Sequence, residues 1–255
     1  MKKLLAVLLA GTMALSLAAC GGGKTTAGTA TKAAADTTAA GTENAAAEGK
    51  EDAGTELTGR LKAIKEAGVL KVATSPDYPP YEFEDITKDG QDKYVGADME
   101  LAKYIADKLG VKLQIEAMAF DACMAAIGQG RVDLTICGMV PKEERKTTMD
   151  FSDVYYNDGD QVIVIMKDSA DQYKSLADFA GQSIAAQNGT LQYDLVTTQI
   201  PDAKCEVVSA VTDGIMMLKT GKVAGIALAS VAADNYLANY RDLVNCAQNF
   251  TYPSL

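Results

Sequence analysis

Arg145 closes the run Gly138-Met139-Val140-Pro141-Lys142-Glu143-Glu144-Arg145, which follows the apolar segment Val132 to Cys137. A guanidinium at that spacing can fold back to the segment's end and make two parallel charged hydrogen bonds, the pattern a carboxylate accepts. It can equally form a surface ion pair with Glu143 or Asp150, and spacing leaves both readings open. Gly138 lets a backbone N–H approach a ligand closely, and Pro141 suits the first position of a short helix. A second group of candidates lies in Thr74-Ser75-Pro76-Asp77-Tyr78-Pro79-Pro80-Tyr81-Glu82-Phe83. Two prolines stiffen this loop, and aromatic rings on a stiff loop make good walls for a small ligand. Tyr78 is read as such a wall, and Tyr81 as cover for the edge of the core. A third group is Ala185-Ala186-Gln187-Asn188-Gly189-Thr190, a turn that opens a helix and so attracts an anion to its free N–H groups. Two anion-friendly turns and one arginine could clamp a single carboxylate from two sides. The chain has no histidine, so acid–base catalysis would fall to carboxylates such as Glu82, Asp77 or Asp121.

These loops need rigid elements behind them. Leu61, Ile64 and Val69 fit a short amphipathic helix running into a strand, 69–74. Residues 97–109 repeat apolar side chains at helical spacing, with Gly110 where a C-terminal cap belongs. Residues 111–117 alternate as a strand, 120–127 read as a helix and 132–137 as a strand. This β-α-β-α-β order predicts a mostly parallel sheet flanked by helices. The rhythm restarts with strands at 161–166, 183–186, 205–208 and 223–228, and with helices from Leu191, Val211 and Val231. Two α/β units therefore join near Asp153-Val154-Tyr155-Tyr156. Ligands bind at the carboxyl ends of strands in open α/β sheets, so the cleft between the units is the expected site.

The remaining sequence bounds the setting. Lys2 and Lys3, the apolar run 4–17 and Leu17-Ala18-Ala19-Cys20 form a secretory leader that looks like a lipobox, which implies an acylated Cys20. Residues 21–56 lack any large apolar side chain and read as a disordered tether with a reach of about 30–36 Å. The formal charge of −10 argues against a nucleic acid or anionic lipid surface as partner. Cys123, Cys137, Cys205 and Cys246 are far apart and unaccompanied by histidine, so no metal site or cofactor is expected. They are read as buried thiols, with Cys205–Cys246 the pairing to test first for a disulfide.

The segments GVLKVATSPDYPPYEF, YVGADMELAKYIADKLG, AFDACMAAIGQGRVDLTICGMVPKEERKTTMDFSDVYY and AAQNGT together resemble the polar-amino-acid branch of the type II periplasmic-binding-protein superfamily, bacterial solute-binding protein family 3. The likeness runs from about residue 60 to 240. It implies a two-lobe α/β fold with a hinge: lobe 1 over 57–156 and lobe 2 over 157–255. It implies a monomer that closes on an amino acid or small carboxylate and delivers it to the permease and ATPase of an ABC importer, held at the membrane by the lipid on Cys20. By the same resemblance Arg145 holds the ligand carboxylate, Tyr78 and Phe120 sandwich its side chain, and Cys137, Gly138 and Val140 line the first lobe. Gly189, Thr190 and Gln192 supply the second-lobe turn. Ser75 and Ala229 stand where the family often carries acids for the ligand ammonium, a role that Asp77 or Asp121 could take instead. The expectation is therefore a carboxylate ligand with a masked amine, or one otherwise unlike a standard polar amino acid. The family also returns to the first lobe after the second, so a segment of about 40 residues is expected beyond Leu255. A dehydratase of a cyclic acid and a ligand-sensing domain remain the alternative functions.

Overall fold

The structure, a computed structural model, describes residues 57–252; the leader with Cys20, the tether and the last three residues lie outside the described residues. The first lobe opens with α1 (Gly59–Ala67), β1 (Val69–Thr74), β2 (Asp77–Tyr78), β3 (Glu82–Glu84) and β4 (Tyr94–Val95). It continues through α2 (Ala97–Leu109), β5 (Lys112–Ala117), α3 (Phe120–Gly128) and β6 (Leu134–Thr135). β5, β1 and β6 form a parallel sheet with β1 at its centre, Val72 standing opposite both Ile115 and Leu134. Leu70 and Val72 pack with Ala102 and Ala106 of α2, whereas Ala73 packs on the other face with Phe120, Cys123 and Ala126 of α3. This is the strand alternation that places helices on both faces of a parallel sheet.

β2, β3 and β4 make a small antiparallel meander, with Tyr78 opposite Glu82 and Phe83 opposite Val95. Gly96 leads from it into α2 with φ at 122°, and a Cβ placed there would lie 2.1 Å from the Tyr81 carbonyl oxygen. Gly96→Ala therefore meets both a strained backbone and a clash with main chain. The expected cost is about 2–4 kcal/mol, read as a lower urea midpoint at unchanged slope.

The second lobe comprises β7 (Gln161–Met166), β8 (Ser183–Gln187), α4 (Leu191–Gln199), β9 (Lys204–Val208), α5 (Val211–Lys219), β10 (Gly225–Ala229), α6 (Ser230–Asn239) and β11 (Leu243–Asn245). Its sheet runs β11-β7-β10-β8-β9. Val162 and Val164 join one core layer with Ile215 and Leu218, while Ile163 and Ile165 join the other with Phe179 and Val196. A strand covered on both faces reads as the continuous apolar run seen at 161–166.

The α/β two-lobe architecture agrees with the sequence reading, and three details differ. First, the second sheet is mixed: β10–β8 and β8–β9 are parallel, but β7 is antiparallel to β10 and β11. β7 enters from the inter-lobe connection rather than through a crossover helix, so its direction is not tied to the others. Second, the strand expected over 132–137 pairs with β1 only at Leu134 and Thr135. Third, Pro141 opens no helix; Arg145–Thr147 form a single 3₁₀ turn. The Cys205–Cys246 bridge is also excluded. Cys205 lies on β9 at one edge and Cys246 just follows β11 at the other, four strand spacings or about 19 Å away, against the ~7 Å that a disulfide tolerates between Cα atoms. All four cysteines among the described residues carry free thiols.

Candidate functional site

The cleft between the lobes is built from strand ends. Ser75, Asp77 and Tyr78 follow β1, and Cys137 and Gly138 follow β6. Gln187 ends β8 and Thr190 follows it, and Ala227 and Leu228 lie on β10. Phe120, Glu82, Val140, Arg145, Asp158, Leu191, Gln192 and Val211 complete the wall. The cavity measures about 30 Å³, counting positions open to the centre of a water molecule. One water needs roughly 10–15 Å³ on that measure, so the lobes stand nearly closed on one another.

Arg145 resolves the choice left open by spacing. It is 6% exposed and faces the cleft, while Glu143 pairs with Lys146 instead. Its Nη1 donates to the Val140 carbonyl at 2.5 Å, and its Nη2 crosses to the Gly189 carbonyl of the second lobe at 2.7 Å. The guanidinium also sits 5.6 Å from the centre of the Phe120 ring, within range of a cation–π contact. Gly189 has φ at 73°, and a Cβ there would lie 2.7 Å from Met124 Cε across the cleft, so the lobes meet where only glycine fits.

Asp77 joins the lobes more tightly than any other side chain of the cleft. Its carboxylate accepts from Ser75 Oγ at 3.1 Å, Gln187 Nε2 at 3.2 Å and the Val211 N–H at 2.5 Å. Val211 is the first residue of α5, whose own N-cap position is Ala210 without a side-chain acceptor. A first-lobe carboxylate thus caps a second-lobe helix, where the helix dipole favours negative charge. Burial nonetheless raises the Asp77 carboxyl above its usual range, with the Val211 N–H opposing it. Tyr78 spans the cleft too: its hydroxyl accepts from the Ala229 N–H at 3.0 Å. Ala229 and Gly189 therefore act through their main chain at the rim rather than as cavity wall.

The expected role of Gly138 changes. Its N–H donates to Asp98 Oδ2 at 3.0 Å, so this amide is not free for a ligand although Gly138 lines the cavity. At the second-lobe turn, Thr190 caps α4 and donates to the Gln187 carbonyl at 2.8 Å, and Gln192 donates to Gln161 at 2.6 Å. Ser75 bonds Asp77, as above. Tyr81 stays out of the cavity wall, as expected, but its hydroxyl donates to Asp158 Oδ1 at 2.7 Å and so positions a carboxylate that does line it.

The carboxylates thought missing are present at other positions. Glu82 is 1% exposed and lines the cavity, and its Oε2 has no hydrogen-bond partner among the described residues. Burial, reinforced by the Cys137 thiol and the Asp98 carboxylate, pushes its carboxyl well above the usual range. Asp158 is pushed up to about 6, chiefly by burial, with the Tyr81 hydroxyl opposing. Three acids, Asp77, Glu82 and Asp158, therefore line the same cavity as Arg145, although Ser75 and Ala229 carry none. Asp121, the other acid considered, lies in an exposed inter-lobe bond, accepting from Asn188 Nδ2 at 2.7 Å. Among the described residues no group of three or more His, Cys, Asp and Glu could hold a metal ion, and no helix is long and apolar enough to cross a membrane.

The model of the family described as bacterial extracellular solute-binding proteins, family 3, matches residues 70–236, and the chain belongs to that family. It is 33% identical over 207 residues to the arginine-binding extracellular protein ArtP of Bacillus subtilis, covering 80% of this chain and 73% of that protein. It is 32% identical over 175 residues to the L-cystine-binding protein TcyA of the same organism, covering 69% of this chain and 62% of that one. Among solved structures, the arginine-bound form of truncated ArgBP from T. maritima superposes with a TM-score of 0.70 at 35% identity, over 76% of this chain and 89% of that one.

Proposed function

We propose that this chain binds an amino acid with a cationic side chain between its lobes and hands it to the permease and ATPase of an ABC importer. The carboxylate of the ligand meets Arg145, and its positive groups meet Glu82, Asp77 and Asp158. One observation carries the reading: Glu82, buried and with an unpartnered oxygen, lines the same small cavity as Arg145. An ionised carboxylate in such a place is costly until a cation reaches it. One positive and three negative groups suit a solute with one carboxylate and two cationic groups better than a neutral or acidic one. The arginine-binding relative and the arginine-bound neighbour support this charge pattern. The protein acts as a monomer, held at the outer face of the membrane by a lipid on Cys20.

A thermal-shift panel tests the reading, because a ligand that binds only the folded state raises Tm. Arginine and lysine are expected to raise it by several degrees at millimolar concentration, and glutamate to leave it unchanged. A rise with glutamate and none with arginine or lysine contradicts it. The enzymatic alternative would use Glu82 as a base, and it predicts a new product on incubation with cyclic carboxylic acids. None is expected.

Closure also draws on a bridge outside the cavity. Lys142, beside Arg145 in the first lobe, forms an ion pair with Asp194 on α4. Asp194 is half-exposed, so the pair contributes modestly. Asp194→Ala is expected to weaken ligand affinity by about 2–5-fold at low salt, with the difference shrinking at high ionic strength. Titrations at two salt concentrations measure it.

A further inference from the structure

Cys123 and Cys137 are 14 positions apart in the chain and meet in one core cluster of the first lobe, with Ala73, Phe120, Ala126 and Val132. Cys123 is 0% exposed on α3, one turn beyond Phe120, and Cys137 is 3% exposed next to Gly138. Both side chains pack into this one cluster, where the Cys123 thiol is the largest influence on the Cys137 thiol. Their other polar contacts are weak: Cys123 Sγ to the Met118 carbonyl at 3.9 Å, and Cys137 Sγ to Thr135 Oγ1 at 3.4 Å. The pair is unlike Cys205 and Cys246, which stand at opposite edges of their sheet.

We propose that Cys123 and Cys137 are a redox site that closes to a disulfide when the chain meets a small-molecule disulfide outside the cell. The thiolate of one cysteine attacks the oxidant's S–S bond, forms a mixed disulfide and releases one small thiolate. The second cysteine, as thiolate, then attacks the protein sulfur of that mixed disulfide and releases the other. Overall, two protein thiols and one small disulfide become one protein disulfide and two small thiols, which take up the two protons. The family is extracellular, so the chain meets such oxidants while still folding and before the thiols are buried. The Cys123 thiol, and then burial, push the Cys137 thiol well above its usual range once folded, which slows reaction of the folded, reduced protein. The bond would close a 15-residue loop and fasten the Phe120 wall of the cleft to the Gly138 wall. Redox state would thus set the stiffness of one side of the ligand cavity.

The test uses the full chain, exported and then refolded from denaturant with oxidised glutathione. Remaining thiols are alkylated in denaturant without reductant, and the protein is digested with trypsin. Arg131 lies between the two cysteines, so the bond leaves peptides 113–131 and 132–142 joined, separating only on reduction. That linked pair is expected, with Cys205 and Cys246 alkylated. Reductant should then lower Tm by roughly 6–12 °C in the wild type and in a C205S/C246S variant, but not in C123S. Alkylated Cys123 and Cys137 after oxidative refolding, a bridge to Cys205 or Cys246, or an equal Tm drop in C123S each overturn the proposal.

Discussion

Arg145→Ala is expected to weaken amino-acid binding by at least about 100-fold. The guanidinium is nearly inaccessible, and in the closed cleft it donates to a carbonyl from each lobe. Truncating it removes the charged donors for the ligand carboxylate and leaves that carboxylate buried without a partner. The combination typically costs 3–5 kcal/mol, or roughly 100- to 5000-fold. Arg145→Lys keeps the charge but loses the planar fork, so it should recover only part of the affinity. Both variants should retain the wild-type circular dichroism spectrum, because the side chain caps no helix and belongs to no core cluster. Calorimetric titration separates the outcomes. An affinity within fivefold of wild type in Arg145→Ala would show that the carboxylate is held elsewhere.

Glu82→Gln should produce a loss of similar size, but only for ligands with a cationic side chain. It should also stabilise the ligand-free protein, because an amide in place of the carboxyl carries no desolvated charge. The pH dependence follows with a definite sign. In the ligand-free fold, Glu82 and Asp158 titrate above their unfolded values, so the folded state holds protons that the unfolded chain has released. Their contribution to stability is therefore greatest in acid and is lost as pH rises from about 4 through the folded values, near 6 for Asp158. A cationic ligand favours the ionised carboxylates, so binding expels protons and affinity should fall as pH drops below about 6. Glu82→Gln should flatten that slope in part, leaving the share due to Asp158. Binding measured from pH 5 to 8 in both proteins reads the difference.

What could be read from the residues beforehand was what depends on local period and on turn chemistry. The helix over 97–109 begins and ends where the apolar spacing and Gly110 place it, because an amphipathic stripe and a glycine cap are local properties. Tyr78, Phe120, Cys137, Val140, Arg145, Thr190 and Gln192 do share one cavity, since each lies at or near the carboxyl end of a strand. What stayed hidden depends on register and on distant partners. Glu82 faces inward because β3 folds back antiparallel on β2 and sets it opposite Tyr78, a pairing that two prolines announce only as a turn. Gly138 loses its free amide to Asp98, 40 positions earlier in the chain. Asp158 enters the cleft from an irregular segment with no periodicity, held there by Tyr81. The direction of β7 was hidden for a similar reason, since an apolar run buried on both faces carries no sign of which way its neighbours run.

The sharpest question is whether the far end of the cleft requires a positive charge. Arginine and citrulline are nearly the same size and share the α-carboxylate and α-ammonium, but citrulline ends in a neutral ureido group. Isothermal titration of the wild-type protein with both, at pH 7.5, compares a cation with its neutral counterpart against the same buried carboxylate. Arginine should bind at least about 100-fold more tightly, since only a ligand cation compensates the ionised form of the buried Glu82 carboxyl. Equal affinities would mean that Glu82 does not receive the ligand's side chain, and the charge-matching account of this cleft would fail.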